Sequence, residues 1–155
     1  MVMQAHIDDT DKGILELLQK NCKTSIGQIA KDLKLPKSTI QYRIKRLEAE
    51  GVIEGYKAKI NPERIGKDYP TITFVHIKKG GRKNWERIGK SLARIPGVMG
   101  VYFVAGENDF VVTCISNNRE DYLKKLEIMN TVEGIVRTNT VAIMKTIKED
   151  FTLIL

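Results

Sequence analysis

Residues 34–50 read KLPKSTIQYRIKRLEAE, and this stretch decides how the first half of the chain is interpreted. At about 100° of rotation per residue, its apolar side chains fall on one narrow helical stripe, at Ile40, Ile44 and Leu47. Pro36 suits the first turn of this helix, and Gly51 suits its C-terminal end. The pattern predicts a helix that rests on its own domain through a thin apolar stripe.

The opposite side of this helix is polar and basic. Ser38, Tyr42 and Lys45 lie there, with other hydroxyl, amide and cationic groups on the flanks. Such groups hydrogen-bond base edges and phosphates, and acidic residues occur only in the last turn. Residues 31–46 carry six cations against Asp32 alone. We therefore predict DNA contacts from Lys34, Lys37, Ser38, Thr39, Gln41, Tyr42, Lys45 and Arg46. An ordinary solvated helix face is the alternative.

Two further helices are predicted ahead of this one. The first follows the acidic run DDTD, in which Asp8 or Asp9 can cap the helix and the acids suit its positive end. The second is opened by Ser25 as a plausible N-cap. Three short helices with a tight KLP connection have the proportions of a helix-turn-helix unit. The segment GVIEGYKAKI, residues 51–60, alternates after its glycines and predicts a strand pair or short wing.

The second half of the chain has the order β-α-β-β-α-β. The predicted strands and helices are 70–79, 84–95, 97–105, 109–116, 119–130 and 135–147, with GEND joining the two central strands. Trp85, Ile88, Leu92 and Ile95 form the buried stripe of the first helix, and Tyr122, Leu126 and Met129 that of the second. This order predicts a ferredoxin-like fold, with a four-stranded antiparallel sheet and both helices on one face.

The predicted sheet has a second apolar face. In the third strand Phe110, Val112 and Cys114 alternate with Val111 and Ile115, so both faces are largely apolar. A sheet covered by helices on one side only must bury such a face against a partner. Oligomerisation through the sheet is therefore expected.

The chain is predicted to be an α+β protein with two domains. A helix-turn-helix domain spans 1–60, a hinge punctuated by Asn61, Pro62 and Gly66 spans 61–69, and a ferredoxin-like domain spans 70–155.

Composition favours a binding protein over an enzyme. The net charge is +7 over 155 residues, which suits polyanionic partners. Cys22 and Cys114 form no CxxC pair, and with His6 and His76 as the only histidines there is little material for a metal site or a catalytic triad. No apolar run is long enough to span a membrane, and MVMQAHIDDTDK is not a signal peptide. We expect a cytoplasmic protein with no cofactor, metal or membrane partner.

Taken together, the residues resemble the leucine-responsive regulatory protein and AsnC (Lrp/AsnC) family of prokaryotic transcription regulators over nearly the whole chain. The resemblance is carried by DDTDKGILELLQKN, by STIQYRIKRLEAEGVIEGYKAKINPERIG and by GENDF. The chain departs from the family at Lys34 and Pro36, where glycine and serine are usual, and at Lys23, where arginine is common.

The resemblance implies an N-terminal DNA-binding domain and a C-terminal domain that forms homodimers, often octamers, and binds an amino-acid effector between dimers. The matching effector positions here are Gly106, Glu107, Asn108 and Asp109, with Thr138 and Thr140 on the last strand. A carboxylate would pair with the ligand's ammonium, and hairpin N–H groups or threonine hydroxyls with its carboxylate. The alternative is that GEND is only a turn and that both threonines only occupy strand positions.

Two other functions remain open from sequence. Some proteins similar to this family are tetrapyrrole decarboxylases, which would use His76 and lysines of the second domain. A ligand-binding assembly module with a degenerate helix-turn-helix is the other.

Overall fold

A computed structural model describes residues 5–78 and 80–155, and Lys79, at the end of the first predicted strand, lies outside them. The chain separates into two compact units. One contains the described residues up to Lys59 together with Glu149–Leu155, and the other is Ile60–Lys148. The sequence assigned residues 149–155 to the second domain, whereas their contacts place them with the first.

The first unit contains three helices, α1 (Asp9–Lys20), α2 (Ile26–Asp32) and α3 (Lys37–Ala49). Asp8 caps α1 by accepting a hydrogen bond from the Asp11 N–H, and the Asp11 carboxylate accepts one from the Asp8 N–H in return. Ser25 caps α2 as expected. The helices enclose a small core of fully or nearly fully buried side chains, Ile14, Ile29, Ala30, Ile40 and Leu47.

The turn between α2 and α3 has the hydrogen bonds of a Schellman motif. The Leu35 N–H donates to the Ala30 carbonyl at 2.9 Å, and the Lys34 N–H donates to the Lys31 carbonyl at 3.3 Å. Lys34 takes the left-handed position of this motif, with φ of 54°. A non-glycine residue in that conformation costs about 1–2 kcal/mol of folding free energy, so Lys34 makes this turn less stable than glycine would.

The strand pair predicted for residues 51–60 is wrong. Residues 54–60 follow the turn after α3 without secondary structure, and the first strand of the described chain begins at Tyr69. A strand needs a second backbone to accept its hydrogen bonds, and no backbone hydrogen bond joins residues 54–60 to another part of the described unit. The Tyr56 hydroxyl donates a hydrogen bond to the Glu48 carboxylate at 2.9 Å, which holds this segment to α3.

The second unit is the predicted ferredoxin-like fold. After a short 3-10 turn at Glu63–Ile65, its elements are β1 (Tyr69–Ile77), α4 (Arg82–Ala93), β2 (Val98–Phe103), β3 (Phe110–Ser116), α5 (Arg119–Thr131) and β4 (Ile135–Ala142). The sheet has the order β2-β3-β1-β4, and every neighbouring pair is antiparallel.

Both helices pack on the same face of this sheet. The core contains Val75, Phe110 and Val112 from the strands, Ile88 and Leu92 from α4, and Met129 from α5. Trp85 is half-buried at the edge of this core, where its ring stacks on Phe103 with centroids 4.5 Å apart.

The buried stripe of α5 differs from prediction at one position. Tyr122 and Met129 are buried as expected, but Lys125 is buried and Leu126 only half-buried. The Lys125 ammonium donates to Ser116 Oγ at 2.8 Å and to Asp121 Oδ2 at 2.6 Å. These bonds compensate the burial of a charge, which hydrophobic periodicity cannot reveal.

The last strand is shorter than predicted, since β4 ends at Ala142 and not near residue 147. Ala142 pairs with Thr71, two residues from the end of β1 at Tyr69. The Ile143 N–H makes one more bond, to the Pro70 carbonyl at 2.9 Å. Beyond this point β1 offers no further backbone, so the ladder ends.

The sheet face opposite the helices carries apolar side chains. Tyr102, Val111 and Phe74 lie in one row across β2, β3 and β1, and Ile72 and Val141 continue the surface. Tyr102 is 53% and Val141 45% exposed. The face thus has the apolar character expected of an assembly surface.

Candidate nucleic-acid interface and effector site

The outer face of α3 is polar and open in the described chain. Lys34, Lys37, Ser38, Gln41, Tyr42 and Lys45 are exposed, and Thr39 is half-buried. Tyr42 presents 68% of its surface, whereas Ile40 and Leu47 on the inner stripe are fully buried. Pro36 occupies the N-cap position, and no side chain caps the helix. The N-terminus of α3 therefore offers main-chain N–H groups to an anion.

Two arginines of α3 are held by two carboxylates at the start of α1. Arg43 contacts Asp8 at 2.5 Å and Asp11 at 3.0 Å, and Arg46 contacts Asp11 at 2.5 Å. Asp11 is fully buried, and the two guanidinium side chains are only 23% and 29% exposed. This network fastens α3 to α1.

The network shifts the ionisation of its members. Hydrogen bonds from Arg43 and from the Asp11 N–H lower the pKa of Asp8 to about 2. The same carboxylates raise the pKa of Arg43. Asp8 and Arg43 therefore remain charged across the physiological pH range.

The predicted outward placement of Arg46 is wrong. Its Nη2 lies against Asp11, and its buried Nε has no hydrogen-bond partner, since Glu50 is 3.8 Å away. Asp8 and Asp11 are three residues apart in sequence, as are Arg43 and Arg46, but this matching spacing does not show that the two pairs meet across 32 to 35 residues of chain. The solvent-facing cations of residues 31–46 are thus four lysines: Lys31, Lys34, Lys37 and Lys45.

The four predicted effector residues of the hairpin lie at one end of the sheet, and one of them, Asp109, is engaged by its own chain. The Asp109 carboxylate accepts a hydrogen bond from the Ile77 N–H at 2.8 Å, and the Asp109 N–H donates to the Val75 carbonyl at 3.0 Å. Asp109 thus anchors the β2–β3 hairpin to β1. Gly106 and Glu107 are exposed, and Asn108 is half-buried.

The two threonines face the helices. Thr138 donates to Asn130 Oδ1 at 3.1 Å. The Thr140 hydroxyl lies 2.5 Å from that of Tyr122 and 3.1 Å from that of Thr73, in a cluster between sheet and α5. By strand register, Thr138 and Phe110 both pair with Val75, so Thr138 lies two strands from the hairpin. A ligand at the hairpin would have to displace the Tyr122 contact to reach Thr140.

The described residues offer little for catalysis. His76 Nε2 contacts Arg137 Nη2 at 3.0 Å on the outer sheet face. Burial raises the pKa of the Cys114 thiol, which makes it a poor nucleophile. Across residues 5–78 and 80–155 no group of three or more His, Cys, Asp or Glu side chains could hold a metal ion. None of the described helices is long and apolar enough to cross a membrane.

Comparison with known families agrees with this architecture. Residues 7–54 match the winged helix-turn-helix DNA-binding family, and residues 71–153 match the Lrp/AsnC ligand-binding domain. The chain is 40% identical to an uncharacterised helix-turn-helix transcriptional regulator of Pyrococcus abyssi, over 95% of this chain and 98% of the relative. It is 36% identical to the transcriptional regulator FL11 of Pyrococcus furiosus, over 95% of each.

Two solved structures have the same fold. The chain superposes on Escherichia coli AsnC with a TM-score of 0.86 at 21% identity, covering 96% of this chain and 99% of that one. It superposes with the same TM-score on a feast or famine regulatory protein of Mycobacterium tuberculosis complexed with L-methionine, at 26% identity over 97% and 100% of the two chains.

A helix-turn-helix unit followed by a ligand-binding ferredoxin-like domain defines a DNA-binding transcriptional regulator. The matched domains, and the relatives that align over nearly their whole length, narrow this class of protein to one family. The chain belongs to the Lrp/AsnC family.

Proposed function

We propose that the chain reads double-stranded DNA by placing α3 in the major groove. One observation carries this proposal: Ser38, Gln41 and Lys45 are exposed on a helix whose opposite stripe is fully buried. Their amide, hydroxyl and ammonium groups match base-edge and phosphate acceptors. Lys34 and Lys37 flank the uncapped start of α3, where phosphate binding is favoured. A degenerate helix-turn-helix would have no reason to keep this surface.

The proposed binding form is a homodimer assembled through the apolar sheet face, with further association to an octamer. Two copies related by a two-fold axis would present two α3 helices to successive major grooves. The target is then a pseudo-palindrome with half-sites about 34 Å apart.

Electrophoretic retardation of the gene's own upstream DNA at fixed salt tests this proposal. Lys45→Ala is expected to weaken binding and to reduce the salt dependence by about two counterions per bound dimer, because it removes one phosphate contact from each copy. Lys90→Ala removes the same charge from the exposed surface of α4 and serves as the control. Equal affinities of wild type and Lys45→Ala would refute the docking of α3.

We further propose that the second domain binds an amino acid at an interface formed by the Gly106–Asp109 hairpin. Glu107 would pair with the ligand's ammonium, and hairpin N–H groups and Asn108 would meet its carboxylate. Asp109 would shape the site by holding the hairpin to β1, whereas Thr138 and Thr140 are hydrogen-bonded within the chain two strands away. The methionine complex of the mycobacterial regulator supports this ligand class.

Calorimetric titration with each amino acid tests the effector site separately from DNA. Glu107→Gln should weaken binding of any amino acid that binds the wild type, because the ammonium loses its counter-charge. Glu127→Gln, an exposed change on α5, is the control. Retardation assays with and without the bound amino acid then show whether it alters DNA affinity. Wild-type binding by Glu107→Gln would refute the role of Glu107.

A further inference from the structure

A groove of about 630 Å³ lies within the helix-turn-helix unit, between the C-terminal half of α1 and the extended segment 52–59. Apolar side chains form much of its lining, at Leu15, Leu18, Val52 and Ile53. Leu153 and Leu155, from the last residues of the chain, lie along this lining, and the volume of about 630 Å³ is what remains open beside them. The lining includes no residue of α3, so the groove is distinct from the proposed DNA-contacting face.

Two side chains that line the groove hydrogen-bond to the main chain of the last residues. Gln19 on α1 accepts a hydrogen bond from the Leu153 N–H at 2.8 Å and donates one to the Leu153 carbonyl at 3.2 Å. Lys59 donates to the Glu149 carbonyl at 3.1 Å. The side-chain amide of Gln19 presents the same donor and acceptor as a peptide group, and it pairs with Leu153 as a neighbouring strand would.

The side chains of this segment alternate as in an extended strand. Leu153 and Leu155 line the groove, whereas Ile154 between them is 102% exposed. Leu155 retains 40% exposure and is the better buried of the two leucines. This two-residue period matches the geometry of an extended peptide laid along a groove.

We propose that the groove is a docking site for an extended apolar peptide, and that its occupant is segment Glu149–Leu155 of the same chain. This segment follows β4 of the ligand-binding domain after only residues 143–148. Docking therefore ties the helix-turn-helix unit to that domain a second time, through non-covalent contacts of the segment, in addition to the covalent link at Lys59 and Ile60. The proposal depends on neither the DNA target nor the effector.

Fluorescence anisotropy with a labelled peptide of residues 147–155 tests the docking. A chain ending at Lys148 should bind the peptide, and the full chain should bind it at least about tenfold more weakly, because its own segment competes at high effective concentration. Equal binding by the two proteins would overturn the proposal. So would the absence of binding to the shortened chain when circular dichroism shows that it is folded.

Matched variants identify the contacts. A Leu155→Asp peptide should bind about tenfold more weakly, as expected for the loss of a partly buried leucine, and an Ile154→Asp peptide should bind as the wild type. In the shortened protein, Gln19→Ala should weaken binding, and Gln28→Ala on α2 should not. Equal losses for Leu155→Asp and Ile154→Asp would show unspecific charge effects and contradict the groove.

The full chain provides a second test, which remains decisive where the shortened chain does not fold. Cys22 lines the groove, and the other cysteine, Cys114, is buried. Because Cys22 is itself exposed, cross-linking to the segment provides the readout, and the absence of any intrachain product would overturn the docking. In a Leu155→Cys variant a short bis-maleimide should join this residue to Cys22 within one chain. A product of twice the chain mass would assign the groove to the segment of a second copy.

Discussion

Replacing Asp11 by Asn should weaken the attachment of α3 to α1. Asp11 is fully buried and accepts hydrogen bonds from Arg43, Arg46 and the Asp8 N–H. The substitution keeps the size of the side chain and removes its charge, so both arginines lose a counter-charge. Because they are 23% and 29% exposed, they can partly rehydrate.

The expected loss follows from known values for buried ion pairs. Removing one partner of a fully buried pair costs about 3–5 kcal/mol, and partial rehydration of the arginines reduces this here to about 2 kcal/mol. For a unit of this size, each kcal/mol lowers the midpoint of thermal unfolding by roughly 4–8 °C. We therefore expect the helix-turn-helix transition of Asp11→Asn to fall by about 8–16 °C.

Differential scanning calorimetry at pH 7 measures this shift, with Asp9→Asn as the control. Asp9 lies on the first turn of the same helix and is exposed, so its loss affects only the helix dipole and should cost no more than about 1 kcal/mol. Arg46→Met should lower the midpoint while leaving DNA affinity below the transition nearly unchanged. Equal unfolding midpoints for Asp11→Asn and Asp9→Asn would refute this account of the network. A folded Arg46→Met variant that no longer binds DNA would also refute it.

Three further predictions concern single side chains. Lys34→Gly should raise the free energy of unfolding by about 0.5–1 kcal/mol, because glycine adopts the left-handed conformation without strain. The same substitution should lower DNA affinity, because it removes a cation. Urea unfolding measures the first effect and electrophoretic retardation the second. The pKa of Asp8 is lowered to about 2, so its contribution to stability is present above its usual value near 4 and is lost as pH falls towards 2. Asp8→Asn should flatten the dependence of stability on pH in that range, and an unchanged acid-unfolding profile would contradict the pairing. Burial, followed by the hydrogen bond to Glu48, raises the pKa of Tyr56 to about 12, and Tyr56→Phe should therefore remove a late-titrating phenol from the ultraviolet titration curve.

Several features of the site follow from residues close together in sequence. The inner stripe of α3 at Ile40 and Leu47, the capping of α1 by Asp8, one of two candidates, and the order of strands and helices in the second unit were predicted correctly. Each depends on periodicity or on a side chain reaching the backbone a few residues away. The polar residues assigned to DNA and effector contact remain predictions, although the exposure of Lys45 and Glu107 is compatible with them.

Other features depended on contacts that no local pattern encodes. Arg46 was expected to face solvent, yet it pairs with Asp11, 35 residues away. Lys125 occupies a buried position because Ser116 and Asp121 satisfy its ammonium. The segment after Lys148 joins the first unit because Gln19, 134 residues from Leu153, completes its hydrogen bonds.

The sequence by itself determined the two-domain plan, the family and the helix with a buried apolar stripe and a polar outer face, because apolar periodicity and capping act within one turn or one strand. Only the tertiary structure decided which cations of that helix remain free, how far β4 extends and where the last residues of the chain bind. In each of these cases a polar group or a backbone finds its partner across a long loop, and the partner is chosen by packing rather than by spacing along the chain.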